Sequence, residues 1–378
     1  MDYKRRLKKL RDSLIDHSLV GILISTDANW EYFAGIPRLG NGNTKQRQNS
    51  LEYAGLLVTE KETIVFLPRL TSLGIIKDIE NHSWLTKIVI FDDWDIAGKT
   101  FTDELKGLSL KNKRIGVIQD VSSSVVLKLR DELNISCVNV DHIVQDLRSK
   151  KEPAEIDKMR KASAIADAIF DNIFRQLAVG VSISEIKAEI DRLCLVHGAK
   201  MTSFPTTILN HGPNSGEWVD NNYHVIEKGH LLAFDYGVVY DGYCSDFGRT
   251  ISIGTPDDQL VEIHELLQAA QAKGIELLRP KLFSGEQVNL QARKIIDDKG
   301  YKDNFFHRLG HGIGLDVHER PFLADGEKMI IESGMLFTVE PSIFIPQKCL
   351  IRLEDVVLVG EKGPEILNKT SKELFVID

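Results

Sequence analysis

Hydrophobic positions change their period several times along the chain. Between residues 3 and 17, Leu7, Leu10, Leu14 and Ile15 recur at helical spacing among Lys, Arg and Asp, which predicts an amphipathic helix. Residues 21–25 form a short apolar run between Gly21 and Asp27 and read as a buried strand. A short helix over 27–33 stops at Gly35-Ile36-Pro37. Strand-like runs follow at 53–58, 63–67, 87–91, 114–119 and 135–139, separated by helical or mixed segments. Residues 1–148 therefore read as an α/β domain. The charged, proline-containing stretch Ser149-Lys-Lys-Glu-Pro153 reads as a linker over 149–153.

From residue 154 the pattern doubles. A long helix over 154–177 carries Ile156, Met159, Ala162, Ala166, Ile169 and Phe170 on its apolar side. A second opens at the capping box Ser182-Ile-Ser-Glu185 and runs to 195, ahead of a hairpin over 231–246. Then the order repeats: a helix over 257–278, another from Ser284-Gly-Glu-Gln287, and strands at 335–340 and 350–358. Two helices and a hairpin, twice, predict helices on one antiparallel sheet. Residues 154–378 thus read as an α+β domain with internal pseudo-symmetry.

Length agrees, since 378 residues fit two domains at about 150 residues each. With 43% hydrophobic and 27% charged residues, a disordered or fibrous chain is excluded. Lys+Arg 47 against Asp+Glu 55 leaves −8, which points away from nucleic acid and anionic membranes. No apolar run has signal-peptide or membrane-span length, and Cys137, Cys194, Cys244 and Cys349 are widely spaced. A cytoplasmic protein with reduced thiols is expected. Neither GxGxxG nor a Walker A loop occurs, so nucleotide binding has no motif behind it. The polar, Gly/Asn-rich stretch over 38–49 reads as a surface loop, or as one covering a neighbouring site.

Candidate chemistry gathers in the two hairpins. Asp241-Gly242 is a strong hairpin turn. With those two residues as the loop, Tyr240 pairs with Tyr243 and Gly237 with Asp246. Asp235 and Asp246 then become diagonal neighbours about 7–8 Å apart on one face. In the second hairpin, a loop of Pro346-Gln347-Lys348 sets Glu340 opposite Glu354. Opposed like charges in apolar strands are costly unless something positive lies between them. Four carboxylates aimed from two hairpins invite a pair of divalent cations. His307, His311 and His318 lie close together in a stretch with glycines at 310, 312 and 314. An oxygen-rich set with one imidazole suits Mn²⁺, Co²⁺, Fe²⁺ or Zn²⁺ in an open site.

These residues sit in blocks that resemble a family: Phe234-Asp235-Tyr-Gly, Gly242-Tyr-Cys-Ser-Asp246-Phe-Gly-Arg-Thr, His307-Arg-Leu-Gly-His311-Gly-Ile-Gly-Leu, Val317-His318-Glu-Arg-Pro, Thr338-Val-Glu340-Pro and Arg352-Leu-Glu354-Asp. They are similar to the signatures of the Xaa-Pro peptidases, the prolidase and aminopeptidase P branch of the pita-bread metallopeptidases. The first half resembles the creatinase-type N-terminal domain, and Leu147-Arg-Ser-Lys-Lys-Glu-Pro-Ala-Glu-Ile resembles the family's interdomain segment.

The resemblance implies a dinuclear-metal hydrolase that cleaves the Xaa-Pro bond of short peptides, as a dipeptidase or an aminopeptidase. Two divalent ions per subunit, manganese foremost, would generate a bridging hydroxide. Asp235 would bind one metal, His311 and Glu340 the other, and Asp246 and Glu354 both. Glu340 would also shuttle the proton, and His318 would steady the tetrahedral intermediate. His307 would hold the proline end, while Arg352 would bind a carboxylate or orient Glu354. A homodimer is also implied. One departure stands out: Gly212-Pro-Asn-Ser-Gly-Glu-Trp-Val219 places Val219 where the family usually has a histidine, and Glu217 and Trp218 could reshape the pocket. Two further readings follow: a hydrolase or lyase of a small non-peptide substrate on the same fold, and a non-catalytic relative.

Overall fold

The computed structural model describes residues 1–38, 51–95, 97–212, 224–346 and 348–378. They fall into two compact units, Met1–Arg148 and Ser149–Asp378. In the first, helices α1 (Tyr3–Asp16), α2 (Ala28–Ala34), α3 (Arg69–Ile79), α4 (Lys99–Gly107), α5 (Ser123–Asp131) and α6 (Asp141–Ser149) accompany strands β1 (Gly21–Ile24), β2 (Gly55–Thr59), β3 (Thr63–Pro68), β4 (Lys87–Phe91), β5 (Arg114–Val117) and β6 (Ser136–Asn139). The strands form one six-stranded sheet in the order β4-β3-β2-β1-β5-β6. It is mixed, because β1 runs antiparallel to β2 and parallel to β5.

Local chemistry accounts for the boundaries. Asp2 caps α1 by accepting the Arg5 N–H at 3.0 Å. Gly35 ends α2 in the left-handed conformation at φ 72°. Leu57, Ile64, Phe66, Phe101, Ile115 and Leu129 pack into the core of this α/β unit. The strand predicted over 114–119 is shorter, ending at Val117, and the remaining predicted elements are shifted by a residue or two. Most of the polar stretch over 38–49 lies outside the described residues.

In the second unit, α7 (Pro153–Phe174) and α8 (Ile183–Val196) precede β7 (Met201–Thr202), β8 (Thr207–His211), β9 (Leu231–Tyr236), β10 (Val238–Tyr240), β11 (Tyr243–Cys244) and β12 (Phe247–Ile253). Helices α9 (Asp258–Leu277) and α10 (Gly285–Asp297) then lead into β13 (Gly310–Gly312), β14 (Glu319–Leu323), β15 (Leu336–Val339), β16 (Ser342–Ile345), β17 (Cys349–Arg352), β18 (Asp355–Gly360), β19 (Gly363–Ile366) and β20 (Phe375–Ile377). Capping boxes open α8 and α10 at the predicted serines. Each helix pair has its own core. Phe170, Ile190, Ile208 and Phe234 pack in one, Leu267, Ala292, Phe337 and Val357 in the other.

The expected single antiparallel sheet is broken. Its strands form four hydrogen-bonded pieces, β20-β12-β9-β8, β11-β10-β7, β14-β13-β15-β18-β19 and β16-β17, and β20 runs parallel to β12. The breaks fall at Gly237, at Ser245–Asp246, at Glu340–Pro341 and at Leu353–Glu354. Proline has no N–H for a ladder, and a buried carboxylate is drawn away from the pleat toward its partners. Register survives the interruptions. Tyr240 pairs with Tyr243 and Asp235 with Gly248, so Asp246 keeps its diagonal place beside Asp235. Likewise Ile345 pairs with Cys349 and Val339 with Asp355, which leaves Glu340 and Glu354 facing one another in register.

The Phe170 ring, 1% exposed, meets Phe174, Phe234, Phe247 and Phe375 and so ties α7 to three strands of one piece. Phe170→Ala will cost about 3–5 kcal/mol, seen as a lower urea midpoint with an unchanged slope.

Candidate metal centre

Strand register brings the predicted acids together. Glu354 forms a bridge with Gly248, which pairs on its other side with Asp235, so one row crosses both hairpins. A Cβ on Gly248 would stand 2.8 Å from Glu354 Oε2 and 3.0 Å from Arg352 Cδ, so only glycine lets the rows approach this closely. Asp246, His311, Glu340 and Glu354 are all buried. Asp246, His311 and Glu354 offer ligand atoms within 4.8 Å of one another. Glu340 Oε1 lies 3.3 Å and Asp246 Oδ2 3.5 Å from His311 Nε2.

The tautomer of His311 gives this arrangement its meaning. Its Nδ1 lies 3.0 Å from the Gly312 carbonyl, which can only accept, so Nδ1 carries the proton. In the neutral ring Nε2 then presents a lone pair to carboxylate oxygens. Lone pair against anion is repulsive unless a proton or a cation stands between them. Glu354 Oε2 is buried and has no hydrogen-bond partner among the described residues.

Electrostatics repeat the point. Burial pushes the Asp235 carboxyl up to about 7, with Arg352 pulling it down and Asp246 and Glu340 pushing it further up. Burial raises Asp246, and burial with the charges of Asp246, Glu340 and Asp235 raises Glu354 well above the carboxylate range. Burial would lift Glu340 as well, but the charges of His311 and Arg352 outweigh it and hold this carboxyl low. For His311, burial is outweighed by the hydrogen bond to Asp246 and the charge of Glu340, and its pKa rises.

The remaining predicted residues ring the cluster. The His318 ring stands edge-on to His311, centroids 4.3 Å apart, and is exposed. Burial of its inner part, then the charges of His311 and Arg308, push it down to about 4. His307 is fixed by Nδ1 against the Arg308 carbonyl at 2.7 Å, while its Nε2 is buried without a partner among the described residues. Burial lowers its pKa, so it is a neutral acceptor at Nε2. Arg352 places Nη1 on the Asp235 carboxylate and Nε on Ser342 Oγ at 3.0 Å. Its side-chain partners are thus Asp235 and Ser342. Val219, Glu217 and Trp218 lie outside the described residues.

Comparison with known proteins places the chain. Residues 157–361 match Metallopeptidase family M24, and residues 6–150 match the Creatinase/Prolidase N-terminal domain. The chain belongs to metallopeptidase family M24. It is 30% identical to a Xaa-Pro dipeptidase of Pyrococcus furiosus, over 98% of this chain and 100% of the relative. A Xaa-Pro dipeptidase of Lactobacillus helveticus is 32% identical, over 86% of this chain and 88% of its own. Among solved structures, a prolidase from Thermococcus sibiricus superposes with a TM-score of 0.88 at 28% identity, covering 100% of both chains. The pita-bread fold of the second unit and the creatinase-type fold of the first follow from these matches. Among the described residues no helix is long and apolar enough to cross a membrane.

An M24 peptidase works with divalent metal, and the residues here fit one. The partnerless Glu354 oxygen, the inward lone pair of His311 and the carboxyls raised by mutual repulsion are all relieved by positive charge at one place. The donors, carboxylate oxygens and an imidazole nitrogen, suit a divalent ion of intermediate hardness.

Several supporting residues escape sequence reasoning. The Thr338 hydroxyl accepts the His311 N–H at 3.0 Å and donates to Glu340 Oε1 at 3.1 Å, orienting both side chains. A threonine two positions before Glu340 in an apolar strand is the only hint in the sequence. Arg249, 1% exposed, uses all its donors: Nη1 on the Gly248 and Glu354 carbonyls at 2.8 and 2.6 Å, Nη2 on Asp355 Oδ1 at 2.7 Å and the Thr370 carbonyl at 3.0 Å, Nε on the Ser371 carbonyl at 2.9 Å. It clamps the backbone on both sides of the Gly248–Glu354 bridge. Gln271 and Lys372 complete Asp355 at 3.0 and 2.8 Å.

Arg249→Met takes the arginine partner from the fully buried Asp355, leaving it Gln271 and Lys372, and leaves the carbonyls of Gly248, Glu354, Thr370 and Ser371 without this donor. A loss of about 3–5 kcal/mol is expected in urea unfolding, and Arg249→Lys, without the planar fork, recovers less than half of it.

Proposed function

We propose that the chain hydrolyses the Xaa-Pro bond of dipeptides at this centre. The observation that carries the reading is the His311 Nε2 lone pair enclosed by Asp246 and Glu340, with Glu354 Oε2 beside it left without a hydrogen-bond partner among the described residues. Full-length relatives named Xaa-Pro dipeptidases give the substrate class. Asp235, Asp246, His311, Glu340 and Glu354 would hold two divalent cations. When bound, such cations polarise a scissile carbonyl and make water acidic enough to attack at neutral pH.

The side chains perform the rest. Glu340, kept ionised against its burial by the charges of Arg352 and Arg308, takes the proton of the attacking water and delivers it to the leaving proline nitrogen. His318 is neutral and stands exposed beside His311, where its N–H can donate to the developing oxyanion. Arg352 carries permanent charge at the edge of the cluster and can take the substrate carboxylate in its planar fork. His307 shares that task only once it has gained a proton, since its neutral Nε2 is an acceptor. Manganese as the resident ion, a cytoplasmic setting and a homodimeric assembly belong to the same proposal and rest on family likeness.

Metal-stripped protein reloaded with Mn²⁺ should release proline from Ala-Pro and leave Ala-Pro-Ala uncut. Cleavage of the tripeptide would make it an aminopeptidase. Cleavage of neither, with metal bound, would sink the peptide reading in favour of a small non-peptide substrate.

Asp246→Asn and His311→Ala should each bind less Mn²⁺ in equilibrium dialysis and lose at least about a thousandfold in kcat. Retention of both metal and turnover would show that the ligand assignment is wrong.

A further inference from the structure

His318 hangs on a loop whose neck is closed by strand pairing. Gly312 of β13 pairs with Glu319 of β14, and residues 313–318 form the excursion between them. The excursion is filled from inside by an ion pair. Glu319 turns its carboxylate inward, where Oε2 accepts from Lys151 Nζ at 3.0 Å and Oε1 from the Asp316 N–H at 3.1 Å. The two side chains are 6% and 2% exposed. Gly314 lies against them, and a Cβ there would be 2.8 Å from both Glu319 oxygens and 2.9 Å from Lys151 Cε.

Lys151 and the excursion are each anchored through the backbone. The Lys151 N–H donates to the Gly334 carbonyl at 2.8 Å, just before β15. The Gly314 carbonyl accepts the Cys244 N–H at 2.7 Å, and the Leu315 carbonyl the Cys244 thiol at 3.4 Å. The loop is therefore held between the end of the first hairpin and the start of the second.

A sealed ion pair of this kind adds little net stability over an apolar pair of equal volume. Its effect is on orientation. An unneutralised Glu319 would turn toward solvent, opening the turn that carries its neighbour His318. We propose that Lys151 and Glu319 are positioning residues for the reaction, holding the His318 ring edge-on to His311. The proposal rests on the catalytic role given to His318 above.

The test uses Lys151→Met and Glu319→Gln, each alone and combined with His318→Ala, in Mn²⁺-loaded full-length protein. Each single variant should lose about tenfold or more in kcat on Ala-Pro, with KM within about threefold and bound Mn²⁺ unchanged. In the His318→Ala background the same changes should cost less than about twofold, because residues acting through one another are not additive. A merely structural pair would cost the same in both backgrounds, and that result would overturn the proposal. A second readout needs no substrate: modification of the exposed His318 by diethyl pyrocarbonate in metal-free protein, followed by peptide mass mapping. Its rate should shift by at least about threefold in either variant, and an unchanged rate would also overturn the proposal.

Glu319→Gln keeps the shape and an acceptor for the Asp316 N–H, so it decides the question even where Lys151→Met does not fold. Were the unaltered protein to leave Ala-Pro uncut, the proposed function would fail by itself, and the His318 modification rate would still support or overturn the positioning role.

Discussion

Like charge in a dry place is the constraint around which the second unit is built. Asp246, Glu340 and Glu354 are buried beside one another, with Asp235 at their edge, and each raises the cost of ionising the next. Sheets do not tolerate such a row, and the ladder gives way where the acids stand. What remains after the breaks is a fixed register on either side, so the carboxylates converge instead of scattering. Positive charge is then required at the point of convergence. Arg352 supplies part of it at Asp235, and His311 is turned so that its lone pair faces the rest.

Around that cluster the polar side chains are arranged in buried pairs that fix geometry. Arg249 with Asp355 clamps the backbone behind the Gly248–Glu354 bridge, and Thr338 couples His311 to Glu340. Such pairs stabilise weakly, because desolvation offsets most of their attraction. Their contribution is discrimination: in a β-strand a slip of one residue turns every side chain to the other face. Five donors of one guanidinium, each with its own carbonyl or carboxylate, have no counterpart in a slipped register.

Much of the site was legible in the sequence because hairpins are local. Asp241-Gly242 dictates the pairing of Tyr240 with Tyr243, and from there Asp235 and Asp246 fall on one face by counting. The second hairpin follows from its short loop in the same way. The helices were legible from their capping boxes and periodicity. Continuity of the sheet was not, since whether a strand persists through a buried acid depends on what that acid meets from distant parts of the chain. Arg249 was invisible for the same reason. Its partners are Asp355, Thr370 and Ser371, more than a hundred positions onward, and nothing local marks an arginine as buried.

Glycine shows how one legible signal can stand for several different contacts. Gly310, Gly312 and Gly314 around His311 mark a tight backbone, but the reason differs at each. A Cβ at Gly310 would meet the Thr338 carbonyl at 1.9 Å, so that glycine lets β13 lie on β15 and bring His311 over Glu340. At Gly312 the obstacle is the backbone of Glu319 and Arg320, the neck of the His318 loop. At Gly314 it is the carboxylate of Glu319 and the stem of Lys151. Three successive absences of a side chain thus serve three contacts: strand to strand, loop neck, and buried ion pair. The alternating glycines hold one imidazole over the acids and set a second beside it, so the spacing from His311 to His318 is set by what packs into the space those glycines leave.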